Sequence, residues 1–278
     1  MLDKMKESLS GVLKGLGYYV YYFVVKFILE LTVAYGVLVI AQKQGIVSED
    51  LLLEYQSNHS LIVTLVSLVL MAAFFLVAVK VNNPEVGKAI KLTKIPAKKC
   101  IFPCIMMVGF EVAYTLADYA SCVENEKGLL DSFDYFSKIN PILGIVLFCV
   151  VFFIVIPTVE SIIFFGIIFT RIETSVKPIV AIAITSILYG FVDLLLGNYI
   201  TVLYYVILGI ILGYVFYKTQ SLITVIVARA IGCIVEIVLL SIPNITNISL
   251  VLIILFAIVL VVGTYLFVKE TSCQTQQK

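Results

Sequence analysis

The stretch PILGIVLFCVVFFIVIPTVESIIFFGIIFTR, residues 141–171, decides the architecture. Between Pro141 and Thr170 its only charged side chain is Glu160. A helix needs roughly 20 apolar residues to cross the hydrocarbon core of a bilayer, and this run exceeds what one straight crossing uses. Pro157 also removes a backbone N–H from its interior, so a kink or break is expected there.

Similar apolar runs cover residues 17–41, 60–82, 100–121, 177–196, 199–217, 221–243 and 247–268. The fold predicted is an all-α, polytopic membrane bundle of about eight transmembrane helices, the fourth of them kinked. Composition agrees, with 62% hydrophobic residues, 13% charged residues and a mean hydropathy of +1.11. A soluble domain carries roughly a quarter charged residues to face water, so here lipid is the solvent for most of the surface. The net charge of +1 gives no reason to expect nucleic acid as a partner. No linker composition divides the chain. The expected organisation is a three-span part over 1–140, a core of about five spans over 141–268, and a short tail over 269–278.

Lysine placement sets the polarity. With the N-terminus inside, fourteen of the nineteen basic residues fall in cytoplasmic segments, and only Lys43, Lys127 and Lys138 fall outside. That asymmetry predicts cytoplasmic N- and C-termini and a multi-pass protein of a bacterial plasma membrane. The first apolar run lacks a small-residue cleavage signal and reads as a signal anchor. The longer outer loops, around 42–59 and 122–140, are acidic. None of the six cysteines shows CxxC spacing, and most sit in apolar runs as small hydrophobes. No metal or cofactor is implied.

Ionisable residues inside spans need a physical reason, because each costs about 2.5–3.5 kcal/mol at mid-bilayer. They are Lys26, Glu30, Glu111, Asp118, Glu160, Asp193, Arg229 and Glu236. Lys26 and Glu30 are spaced for an i,i+4 pair. Glu111 and Asp118 share a helix face. Arg229 stays charged and needs an anion, with Asp193, Glu160 and Glu236 available. The lowest-cost arrangement predicted is an Asp193–Arg229 pair joining spans five and seven.

Over residues 141 to 240 the chain resembles the CAAX protease and bacteriocin-processing family of intramembrane proteases, also called the Abi family. That family carries EExxxR after a proline, then FxxxH, a glycine-spaced helix, and HxxxN. Here Pro157-Thr-Val-Glu160-Ser161-Ile-Ile-Phe-Phe165 follows the first motif in position, and Tyr189-Gly-Phe-Val-Asp193 the second. Gly209 and Gly213 lie on the glycine helix, and Arg229-Ala-Ile-Gly-Cys233 occupies the last motif.

The resemblance implies catalysis by a glutamate and histidines that activate water and stabilise an oxyanion. Glu160, Asp193 and Arg229 are the positions carried over, yet only Glu160 keeps its residue type. The single histidine, His59, falls in the first outer loop, so no two-histidine site can form for water activation or a metal. The first reading is a pseudoprotease: a membrane scaffold, regulator or bacteriocin-immunity-type protein, holding a membrane protein or peptide in the former substrate cleft. A second keeps an endopeptidase in which Glu160 and Asp193 share a proton and Arg229 is the oxyanion donor. A third is a transporter or ion-coupled protein with the buried charges along its path.

Overall fold

In the computed structural model the residues described are 2–46, 48–82, 90–93, 98–120, 128–193, 199–240 and 258–269. Among them every regular element is helical. The helices are α1 (Leu2–Lys43), α2 (Glu49–Asn58), α3 (Ser60–Asn82), α4 (Lys98–Ala120), α5 (Gly128–Ile139), α6 (Pro141–Glu173), α7 (Pro178–Gly190), α8 (Tyr199–Thr219), α9 (Leu222–Leu240) and α10 (Ile258–Lys269). Five helical stretches are long and apolar enough to cross a membrane: Leu9–Lys43, Ser60–Val77, Pro141–Glu173, Thr201–Thr219 and Leu222–Leu239. Three shorter apolar helices, Cys100–Thr115, Pro178–Gly190 and Ile258–Lys269, fall in the remaining apolar runs. Large apolar side chains stand open on these helices, with Ile142 at 74%, Ile179 at 75% and Val261 at 67% exposure. In water that surface would be costly, and in lipid it is solvated. The chain is a multi-pass, all-helical membrane protein.

Two segments expected as outer loops are helical instead. Ser48 starts α2 by accepting the Leu51 N–H on its hydroxyl at 3.3 Å. Helix α5 ends at Asn140, whose Oδ1 then caps α6 by accepting from Ile142 N–H at 3.0 Å and Leu143 N–H at 3.2 Å. Pro141 at the first position of α6 has no N–H to leave unpaired.

The chain divides into two compact units. One comprises 20–84 and 124–159. In it the buried Ser132 hydroxyl ties α5 to the α2–α3 corner, donating to Asn58 O at 2.7 Å and accepting from Leu61 N–H at 3.2 Å. His59 sits at that corner, stacked on Tyr55 with centroids 4.1 Å apart, its Nδ1–H donating to Tyr55 O at 2.8 Å. It is a corner residue held by aromatic neighbours.

The other unit comprises 1–19, 85–123 and 160–278. There α4 lies along α9, and α7 lies along α8. Glycine permits the second packing: a Cβ on Gly209 would come within 2.8 Å of Ser186 Cα, a backbone atom that cannot swing away.

Helix α6 loses α geometry on both sides of Pro157, through π segments Val150–Val155 and Ile162–Phe169. The first closes with Ile156 N–H bonded to Val151 O, an i→i−5 bond ahead of the missing proline donor. In the second, Thr170 Oγ1 donates to Phe165 O at 3.2 Å and to Gly166 O, satisfying carbonyls that the wider turn frees. The expected irregularity at Pro157 therefore takes the form of two wide turns.

These contacts set a paired expectation. Gly209→Ala should destabilise the protein by about 1–3 kcal/mol, because α7 and α8 must separate. Gly36→Ala, where a Cβ meets nothing within 4 Å, should be neutral or stabilising by about 0.5–1 kcal/mol. Thermal unfolding of both variants in detergent or bicelles is the check, and equal effects would contradict the packing.

Candidate functional site

Glu160 sits on the single α turn, Ile156–Ser161, between the two π segments. It lies thirteen residues before Glu173, the end of α6, well inside the apolar stretch. Arg229 projects from the second turn of α9 and is 4% exposed. The structure brings these two residues together, with Arg229 Nε 3.7 Å from Glu160 Oε2. Asp193 ends the 3-10 turn Phe191–Asp193 that follows α7. Its side chain lies outside the described residues, and so does the expected Asp193–Arg229 pair.

The closer carboxylate to Arg229 is Glu111 of α4, whose side chain is 0% exposed. Arg229 Nη1 is 3.4 Å from Glu111 Oε1 and donates to the Tyr204 hydroxyl at 3.2 Å. Tyr204 in turn donates to Glu111, at 2.9 Å from Oε1 and 3.1 Å from Oε2. On the Glu160 side, the Tyr189 hydroxyl donates to Oε2 at 2.5 Å. One guanidinium thus lies between two carboxylates, and each carboxylate accepts from a tyrosine on α7 or α8. In a low-dielectric surrounding such charge-assisted bonds are strong, and their loss would leave a buried charge uncompensated.

Backbone approach makes the arrangement possible. A Cβ on Gly232 would lie 2.7 Å from Glu111 Oε1, so a side chain there would push the carboxylate from its place beside Arg229. Aromatic rings enclose the polar atoms. Tyr204 lies 4.0 Å from Tyr114 and 5.4 Å from Phe110 between centroids, and Tyr189 lies 4.7 Å from Phe164.

The remaining motif positions carry no charge. Phe165 is fully buried with its ring edge toward Tyr189, and Cys233 is buried on α9 one turn beyond Arg229. The Ser161 hydroxyl, beside Glu160, has no hydrogen-bond partner among the described residues. Among the described residues there is also no group of three or more His, Cys, Asp or Glu placed to hold a metal ion.

The model of the family described as type II CAAX prenyl endopeptidase Rce1-like matches residues 142–235. This segment is related to the CAAX proteases. The match spans α7, α8, nearly all of α6 and the first fourteen residues of α9, and so includes Glu160, Tyr189, Tyr204 and Arg229. No curated protein and no solved structure matches the chain. Glu111 lies outside the CAAX-protease segment. Arg229 is therefore held from one side by a CAAX-segment carboxylate and from the other by a helix the match does not cover.

Sequence reasoning had Glu111 as an in-span acid but not as the partner of Arg229. A signal for it existed, because Arg229 is the only basic residue in the interior of the apolar runs from 100 onward, Arg171 and Lys177 standing at run ends, and Glu111 is central to one of them. Tyr189 and Tyr204 gave no signal that separates them from interfacial tyrosines.

The cluster predicts a double-mutant result. Arg229→Met should cost about 3–5 kcal/mol, because Glu111 stays buried without its guanidinium. Adding Glu111→Gln should recover part of that loss, so the two effects fall well short of additive. Unfolding in detergent measures the cycle, and simple additivity would contradict the pairing.

Proposed function

We propose that this protein is a pseudoprotease: a CAAX-protease-like membrane protein that has exchanged hydrolysis for binding, as a scaffold, regulator or immunity-type protein. The observation that carries this reading is the engagement of Arg229. At the position of the second motif histidine stands a guanidinium committed to Glu111 and Tyr204, with Glu160 on its other side. A general base must be able to take a proton from water, and Arg229 cannot act as one. Glu160, which would have to activate the water, accepts the Tyr189 hydroxyl and faces the guanidinium on the same oxygen, Oε2. Such contacts hold the carboxylate in place. The chain's sole histidine belongs to the other compact unit and is stacked on Tyr55.

The purified full chain in proteoliposomes should leave prenylated CAAX peptides intact over long incubation. Turnover by the natural sequence that disappears in Glu160→Gln would overturn the proposal and restore the endopeptidase reading. On the same reading both termini face the cytoplasm, as the lysine asymmetry supports. Reporter fusions at residues 1 and 278 should both report the inner side of a bacterial plasma membrane, and opposite sides would refute that topology.

A further inference from the structure

Residues 90–93 form a short strap against the ends of three helices in the unit that holds the Arg229 cluster. Ile90 is 5% exposed, and it borders the space where a Cβ on Gly166 would lie, 3.4 Å from its Cγ2. The same space is bordered by Leu222, the first residue of α9. Lys91 reaches over the Phe216 ring, 5.5 Å from its centroid, donates to Gln220 Oε1, and lies 3.6 Å from Glu173 Oε2.

The backbone is used as well. Leu222 N–H donates to Lys91 O at 3.2 Å. Ser221 Oγ donates to Thr93 O at 2.7 Å, and Thr93 Oγ1 donates to Gln220 O at 3.0 Å. The strap therefore caps the N-terminus of α9, which would otherwise present unpaired N–H groups.

This seating is close but conformationally disfavoured. Lys91 has φ +48° and Gln220 has φ +50°, the left-handed region that residues with a Cβ avoid. Both partners of the contact are held in that region. The Lys91–Glu173 pair is reached by water, with side chains 27% and 18% exposed. An apolar contact surface of Gly166 and Leu222, an acidic residue beside it and a set of backbone partners are thus met by an apolar residue followed by a basic one.

We propose that this groove is a docking site for a partner segment of that chemistry, an apolar residue followed by lysine or arginine, and that Ile90–Thr93 is its built-in competitor. The proposal rests on the reading that the chain acts by binding. Displacement of the strap exchanges one cap of α9 for another, so a partner at the groove acts on the helix that carries Arg229.

The test is amide hydrogen exchange of the full chain in nanodiscs, read at residues 220–224, with the probe peptide acetyl-Ala-Ile-Lys-Leu-Thr-amide. Relative to the natural sequence, I90A/K91A should exchange about tenfold faster at the Leu222 amide, because the strap that presents the Lys91 carbonyl loses the side chains that seat it. The probe should restore protection in the variant, while a peptide with Asp and Glu in place of Ile and Lys should not. Glu173→Gln, which leaves Ile90 in place, should give a smaller loss in the same direction and covers the case in which the double variant fails to fold. Unchanged exchange in Glu173→Gln and I90A/K91A, or no restoration by the probe, would overturn the proposal. Protection that returns with protein concentration alone would make a second copy the occupant, and would overturn it equally. This readout is independent of hydrolysis: the groove can fail in an inactive chain, and the chain can prove active with the groove intact.

Discussion

The structure depends on a guanidinium that must be neutralised inside an apolar set of helices. Arg229 is buried on α9, and it is the only basic residue in the interior of the apolar runs from residue 100 onward. A lone charge there would be strongly destabilising, so the helices carrying its partners have to come to it. Glu111 brings α4 against α9, Glu160 brings the middle of α6, and Tyr204 and Tyr189 bring α8 and α7. Glycine at 209 then fixes how closely α7 and α8 can pack.

The same interaction explains why a protease-like segment reads as inactive under the proposed function. Water activation needs a base free to accept a proton and donors aimed at developing negative charge. Here Arg229 Nη1 donates to Glu111 and the Tyr204 hydroxyl, and both tyrosines donate to carboxylates already present. The π turns around Pro157 place Glu160 in this cluster, and such wide turns are frequent where a helix presents a functional side chain.

Much of the fold was legible because hydrophobic length is a local property. Each of the eight apolar runs contains a helix of the structure, five of them long enough to cross a membrane. Pro157 signalled the irregular part of α6 for an equally local reason, the missing N–H. Helices α2 and α5 were not legible, because mixed sequences such as EDLLLEYQSN and GLLDSFDYFSKI lie in acidic stretches and have no apolar run to mark them. Their boundaries depend on the Ser48 and Asn140 caps and on Ser132, which binds across to the α2–α3 corner. The site was legible in part. Glu160 and Arg229 stood out as buried charges at motif positions, but Glu111, Tyr189 and Tyr204 join them through contacts between helices that no local pattern encodes.

The central claim is that Arg229 is held by Glu111, and magnetic resonance can measure that distance directly. The chain contains two arginines, Arg171 and Arg229, so in an Arg171→Lys background arginine labelling reports Arg229 alone. Dipolar recoupling between its guanidinium nitrogens and labelled glutamate carboxylates, in lipid, should show strong dephasing consistent with the 3.4 Å Nη1–Oε1 approach, lost in Glu111→Gln. Absence of dephasing, or dephasing unchanged by Glu111→Gln, would contradict the account and leave Arg229 available for another role.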